Sequence, residues 1–139
     1  MRPEISPTLR VLVVEDERLI RWALTQALGD AGAAVVEASD AHSAIAALRD
    51  EGEGFDVAVL DVNLPGDDGL DVLAALHGVF PATRVLMITA FGSPELRAEA
   101  CGLGAACVID KPFDLDVMTG LVFGRALPAG TSPARPAPA

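Results

Sequence analysis

The chain predicts an α/β fold: an open sheet of parallel strands with helices on both faces. Two observations predict it. Five short apolar runs with β-branched residues alternate with five stretches carrying helix signals. Successive βα units joined by right-handed crossovers then put helices on both sides of a parallel sheet. A third observation says where to look for chemistry. Polar residues stand directly after several of the apolar runs, at the edge where open α/β sheets bind ligands.

The first strand is expected over residues 10–15, where Val11-Leu12-Val13-Val14 runs into Glu15-Asp16-Glu17. A helix over 17–29 and a strand over 34–37 follow. Ser39 and Asp40 are capping residues before Ala44, Ile45, Ala47 and Leu48, which place a helix over 40–50. The third strand, 56–61, holds Val57-Ala58-Val59-Leu60 and pushes Asp61 into a loop closed by the Pro65-Gly66 turn. Asp67 and Asp68 read as turn and helix-start residues for a helix over 68–77. The fourth strand, 84–89, ends on Thr89. Ser93-Pro94-Glu95 then supplies an N-cap, a proline at the first helical position and a first-turn acid for a helix over 94–102. The fifth strand, 106–110, leads to Lys111, and a last helix is expected over 114–126. Gly29, Gly32, Gly78 and Gly104 punctuate helix ends or the loops after them.

Residues 1–127 thus read as one domain, which 139 residues can fill with a core. Residues 128–139 are rich in proline and alanine and read as a disordered tail or the start of a linker. With 20 acidic and 10 basic residues the net charge is −10, which argues against binding nucleic acid through its phosphates. Mean hydropathy is +0.40, yet no apolar run approaches a membrane span, and the amino terminus does not read as a signal peptide. Cys101 and Cys107 lack metal-site spacing and suit a reducing cytoplasm.

The strand ends gather Glu15, Asp16, Asp61, Thr89 and Lys111 at one edge. Three carboxylates so close repel one another unless a cation intervenes, and Mg²⁺ takes carboxylates, waters and phosphoryl oxygens. Lys111 supplies a compact positive charge suited to phosphate, and Thr89 a hydroxyl. An aspartate nucleophile, a metal, a lysine and a hydroxyl are the parts needed to receive a phosphoryl group.

In this order, the pair Glu15-Asp16, the segment from Asp61 to Gly69, Thr89-Ala90 and Lys111-Pro112-Phe113 resemble the receiver domain of bacterial two-component response regulators. The resemblance covers residues 9–127. It implies a (βα)5, flavodoxin-like topology with strand order 2-1-3-4-5. It implies that Asp61 is the phosphoacceptor, that Lys111 contacts the phosphoryl group across a cis Lys111-Pro112 bond, and that Thr89 is the switch hydroxyl. Glu15, Asp16, Asp61 and the backbone carbonyl of Asn63 would hold Mg²⁺, with Mn²⁺ able to substitute. The implied role is a cytoplasmic signalling switch rather than an enzyme, served by a sensor histidine kinase and acting on an effector or through a homodimer. One position departs from the family, which often has an aromatic residue three before the lysine; here it is Val108.

Two other functions compete, one sharing the nucleophile chemistry and one the topology. A Mg²⁺-dependent aspartyl-phosphate hydrolase usually carries a general acid two residues after its nucleophile, where this chain has Asn63. A flavin- or nucleotide-binding domain needs backbone N–H groups facing phosphate in its first loop, which here holds three acids. A relay intermediate also fits the receiver reading. Of the remaining polar residues, Glu17 is expected to complement the helix dipole, and His42 and His77 to be solvated. Trp22 and Leu24 are expected to pack helix 1. Leu115, Val117, Met118, Leu121, Val122, Phe123, Ala126 and Leu127 exceed one helical stripe, so an exposed apolar partner face is expected on helix 4, strand 5 and helix 5. Leu121 or Phe123 would lie near its centre, flanked by Cys107 and Val108.

Overall fold

A computed structural model describes residues 8–50, 52, 54–65 and 68–124. Five strands alternate with five helices: β1 (Arg10–Val14), α1 (Arg18–Asp30), β2 (Ala34–Ala38), α2 (Ala41–Asp50), β3 (Val57–Asp61), α3 (Gly69–Val79), β4 (Arg84–Thr89), α4 (Pro94–Gly102), β5 (Ala105–Asp110) and α5 (Leu115–Val122). All strand pairs are parallel and the order is β2-β1-β3-β4-β5. Each predicted strand and helix is present, in the predicted order. The Pro/Ala-rich segment 128–139 lies outside the described residues, as do Gly66 and Asp67 of the turn.

Asp68 and Asp114, expected at helix starts, act as caps, and Asp40 accepts a first-turn N–H as its expected capping role implies. Asp68 accepts the Leu70 N–H, Asp114 those of Asp116 and Val117, and Asp40 that of Ser43. Each carboxylate thereby satisfies a donor that the first helical turn leaves open. Ser93 caps α4, with Pro94 at its first position, as expected. Gly32 and Gly104 turn the chain out of α1 and α4 with φ of +108° and +107°, a region glycine enters without a Cβ penalty. Gly29 and Gly78 stand in the last turns of α1 and α3, at the helix ends as expected.

Alternation along the strands splits the core in two. Leu12, Val14, Ala58, Leu60, Met87 and Val108 face α2, α3 and α4. Val11, Val13, Val59, Ile88, Cys107 and Ile109 face α1 and α5, which contribute Leu24, Leu28, Met118 and Leu121. β3 is buried along its whole length, which places its last residue, Asp61, at the centre of the sheet edge.

Among the described residues, most of the apolar residues expected to form the partner face are covered. Leu121 is 5% exposed, and Met118, Val122, Cys107 and Val108 are buried as well. α5 packs against both the sheet and α1, so a wide arc of its surface is covered. It is also shorter than predicted: Phe123 is its C-cap and Gly124 follows at φ +85°. Ala126 and Leu127 lie outside the described residues. Trp22 is a second correction, 61% exposed rather than packed.

Candidate functional site

Every strand but β2 delivers a polar group to one edge of the sheet. Glu15 follows β1, and its N–H donates to Ala38 O at 3.1 Å, which ties it to the end of β2. Its Oε2 accepts the Glu17 N–H at 2.9 Å, and its carbonyl accepts from the Arg21 guanidinium at 2.8 Å. Asp61 ends β3, with Oδ1 accepting the Asn63 N–H at 2.8 Å. Thr89 ends β4 and is buried, and its hydroxyl oxygen accepts the Phe91 N–H at 3.1 Å. Lys111 follows β5, donates its N–H to Thr89 O at 2.7 Å and precedes a cis peptide bond to Pro112, as expected.

Four of the five residues expected from sequence, Glu15, Asp16, Asp61 and Lys111, meet through their side chains, and Thr89 adjoins them through its backbone contact with Lys111. The Lys111 ammonium lies 2.9 Å from Asp61 Oδ2, 3.1 Å from Glu15 Oε1 and 3.0 Å from Glu17 Oε1. Glu17 is the residue that sequence reasoning misplaced. It occupies the N-cap position of α1, but its side chain makes no cap hydrogen bond and turns to Lys111. The run of three acids was the available signal.

Two acids of this cluster are buried, while Asp16 and Glu17 are exposed. Glu15 is 0% exposed and Asp61 1%. Burial raises the Glu15 carboxyl to about 8, and its interaction with Asp61 adds to the rise against donation from the Glu17 N–H and the proximity of the Lys111 ammonium. Burial pulls the Lys111 ammonium down, but hydrogen bonds to Asp61 and Glu17 and the nearby Glu15 carboxyl outweigh it and hold the group above its usual range. Glu15 Oε1 is near enough to Lys111 for charge attraction, yet no hydrogen bond of good geometry reaches it. Carboxylate oxygens of Glu15, Asp16 and Asp61 lie within 4.8 Å of one another. Three hard oxygen donors with one buried oxygen unsatisfied fit a divalent cation.

Glycine matters at one point of this edge. A Cβ on Gly69 would stand 2.1 Å from Asp61 O and 2.8 Å from Val62 Cα. The start of α3 therefore rests directly on the backbone that presents Asp61.

Residues 11–123 match the response regulator receiver domain family. The chain belongs to the response regulator receiver family. It is 36% identical over 118 residues to the response regulator protein FleR of Pseudomonas aeruginosa, covering 85% of this chain and 24% of FleR. It is 42% identical over 108 residues to the transcriptional regulatory protein TcrA of Mycobacterium tuberculosis, covering 78% of this chain and 42% of TcrA. Among solved structures it resembles a CheY-like receiver domain protein from Methanospirillum hungatei, with a TM-score of 0.79 and 27% identity over 84% of this chain and 92% of that one. It also resembles chemotaxis protein CheY4 of Vibrio cholerae, with a TM-score of 0.78 and 31% identity over 84% and 98% of the two chains. The receiver spans a quarter to a half of the length of the curated relatives it matches. Among its described residues, no helix is long and apolar enough to cross a membrane.

Proposed function

We propose that this receiver is a phosphorylation-dependent switch, with Asp61 taking a phosphoryl group from the phosphohistidine of a sensor histidine kinase or from a small acyl phosphate. The observation that carries the reading is the placement of Asp61. It is buried at the centre of the sheet edge, 2.9 Å from Lys111 and within 4.8 Å of two further carboxylates. An Asp61 oxygen attacks phosphorus, the P–N bond to the donor imidazole breaks, and the freed imidazole nitrogen takes a proton from water. Lys111 is placed to pair with the transferred group as its charge develops on Asp61, and the Thr89 hydroxyl to donate to it. Glu15, Asp16, Asp61 and the Asn63 carbonyl would hold Mg²⁺, or Mn²⁺ in its place, which neutralises phosphoryl oxygens.

The donor has a place to dock. Leu19, Ile20, Ala23, Pro112, Phe113 and Leu115 line a cavity of about 510 Å³ that Glu17 and Lys111 close at the site. Asn63 carries no acid at the position a hydrolase would use, which favours retention of the phosphoryl group over turnover. The output runs through the α4–β5–α5 surface to an effector or a second copy. With a net charge of −10, the domain does not itself bind nucleic acid.

The test is intact mass after incubation with acetyl phosphate. One phosphoryl group should be added with Mg²⁺ and none with EDTA, and Asp61→Asn should take none. A variant modified as fully as wild type removes Asp61 as the acceptor.

A further inference from the structure

β5 is an edge strand, and the family's usual aromatic coupler is absent from it: Val108 is buried beneath α4. A polar clamp stands on its outer side. Arg97 of α4 donates from Nη1 to Val108 O at 2.8 Å and from Nη2 to Asp110 Oδ2 at 2.7 Å. The guanidinium fork thereby bridges the helix to two points of the strand, which a lysine could not do.

The loop between β4 and α4 rests on that clamp. A Cβ on Gly92 would stand 2.4 Å from Asp110 Oδ1, 3.1 Å from Arg97 Nη2 and 3.4 Å from Thr89 Cγ2. One residue earlier, the Phe91 N–H is bonded to the Thr89 hydroxyl. The Phe91 side chain is 85% exposed, so apolar packing does not anchor the loop. Thr89, the Phe91 amide, Gly92, Asp110 and Arg97 form one contiguous polar path from the site to α4.

We propose that the Arg97–Asp110 clamp is the element through which the state of the Thr89 hydroxyl reaches α4 in this chain. The inference rests on the receiver reading of the site. When the Thr89 hydroxyl turns toward a phosphoryl group, the Phe91 amide must follow it or lose its acceptor. Gly92 then shifts against the Asp110 carboxylate, and the clamp holding α4 to β5 is released or re-formed. Arg97 is a positioning residue and touches no reacting atom.

Hydrogen exchange of the full chain with and without beryllofluoride tests this. In wild type, exchange should change both at residues 61–65 and across 90–103. Arg97→Gln removes both clamp contacts. Gly92→Ala pushes the Asp110 carboxylate away from the loop side without altering charge. Both variants should keep the response at 61–65 and lose most of it, about threefold or more in rate, across 90–103. Asp110→Asn leaves the Val108 contact and should fall between. A clamp that merely stabilises the fold would raise exchange in both states equally and leave the difference intact. An Arg97→Gln response across 90–103 equal to wild type overturns the proposal. A wild type with no response even at 61–65 overturns the receiver reading of the site itself.

Discussion

The buried Glu15 carboxyl ties stability, pH and metal together, and Glu15→Gln separates them. Its ordinary value is 4.5 and burial with Asp61 raises it to about 8. Between those values the folded, metal-free protein holds a proton on Glu15 that the unfolded chain has released. Stability therefore falls as pH rises through this window. At 1.36 kcal/mol per unit the full displacement has a ceiling of about 5 kcal/mol, and the stretch from pH 5.5 to 8 accounts for about 3 kcal/mol. Glutamine imitates the protonated form. In EDTA, then, the variant should gain about 3 kcal/mol on wild type between pH 5.5 and 8. Mg²⁺ reverses the comparison, because it needs the carboxylate. Below pH 8 the apparent Mg²⁺ affinity of wild type should rise up to about tenfold per unit, with a proton released on binding. The variant should lose most of its Mg²⁺ stabilisation. Urea unfolding of both proteins at pH 5.5, 6.5, 7.5 and 8, in EDTA and in MgCl₂, reads all of this. Parallel pH profiles for the two proteins in EDTA would refute the reasoning, since other titrating groups are common to both.

Lys111→Met leaves Asp61 and Glu15 buried beside one another without their cation, and should cost about 3 kcal/mol in EDTA, partly recovered by Mg²⁺; an unchanged urea midpoint would contradict this. Gly69→Ala forces a Cβ into the Asp61 carbonyl, and because both walls are backbone it should cost about 1–3 kcal/mol or more. Its thermal midpoint should fall and its phosphorylation slow, whereas Gly102→Ala, which meets nothing within 4 Å, should do neither. Leu121→Glu should unfold the domain at a cost of at least about 3 kcal/mol, because it puts a carboxylate in the α1–α5 core. A folded Leu121→Glu with a native circular dichroism spectrum would show that α5 packs otherwise.

The strands were legible because each is a short apolar run that ends on a polar residue. The site was legible for the same reason: parallel strands carry their last residues to one edge, so Asp61, Thr89 and Lys111 needed no tertiary information to be brought together. What failed depended on which side of a helix is covered. Leu24 and Leu28 are one turn apart and take the buried stripe of α1, which leaves Trp22, two positions from Leu24, on the opposite side. α5 has apolar residues all round, and its sequence does not say that α1 covers the flank the sheet leaves open. Glu17 shows the same limit, since its backbone position was readable and its rotamer was not. Arg97 and Asp110, thirteen residues apart, gave no local signal of meeting.

Arg84 also donates to the carbonyls of Leu121 and Val122, pinning the end of α5 beside the first residue of β4. Whatever continues past Gly124 therefore sets out from the rim of the domain opposite Thr89. Five residue steps of strand separate Arg84 from Thr89, about 17 Å. A change at Asp61 that reaches this rim by displacement of packed parts travels at a pace set by loop and helix motion.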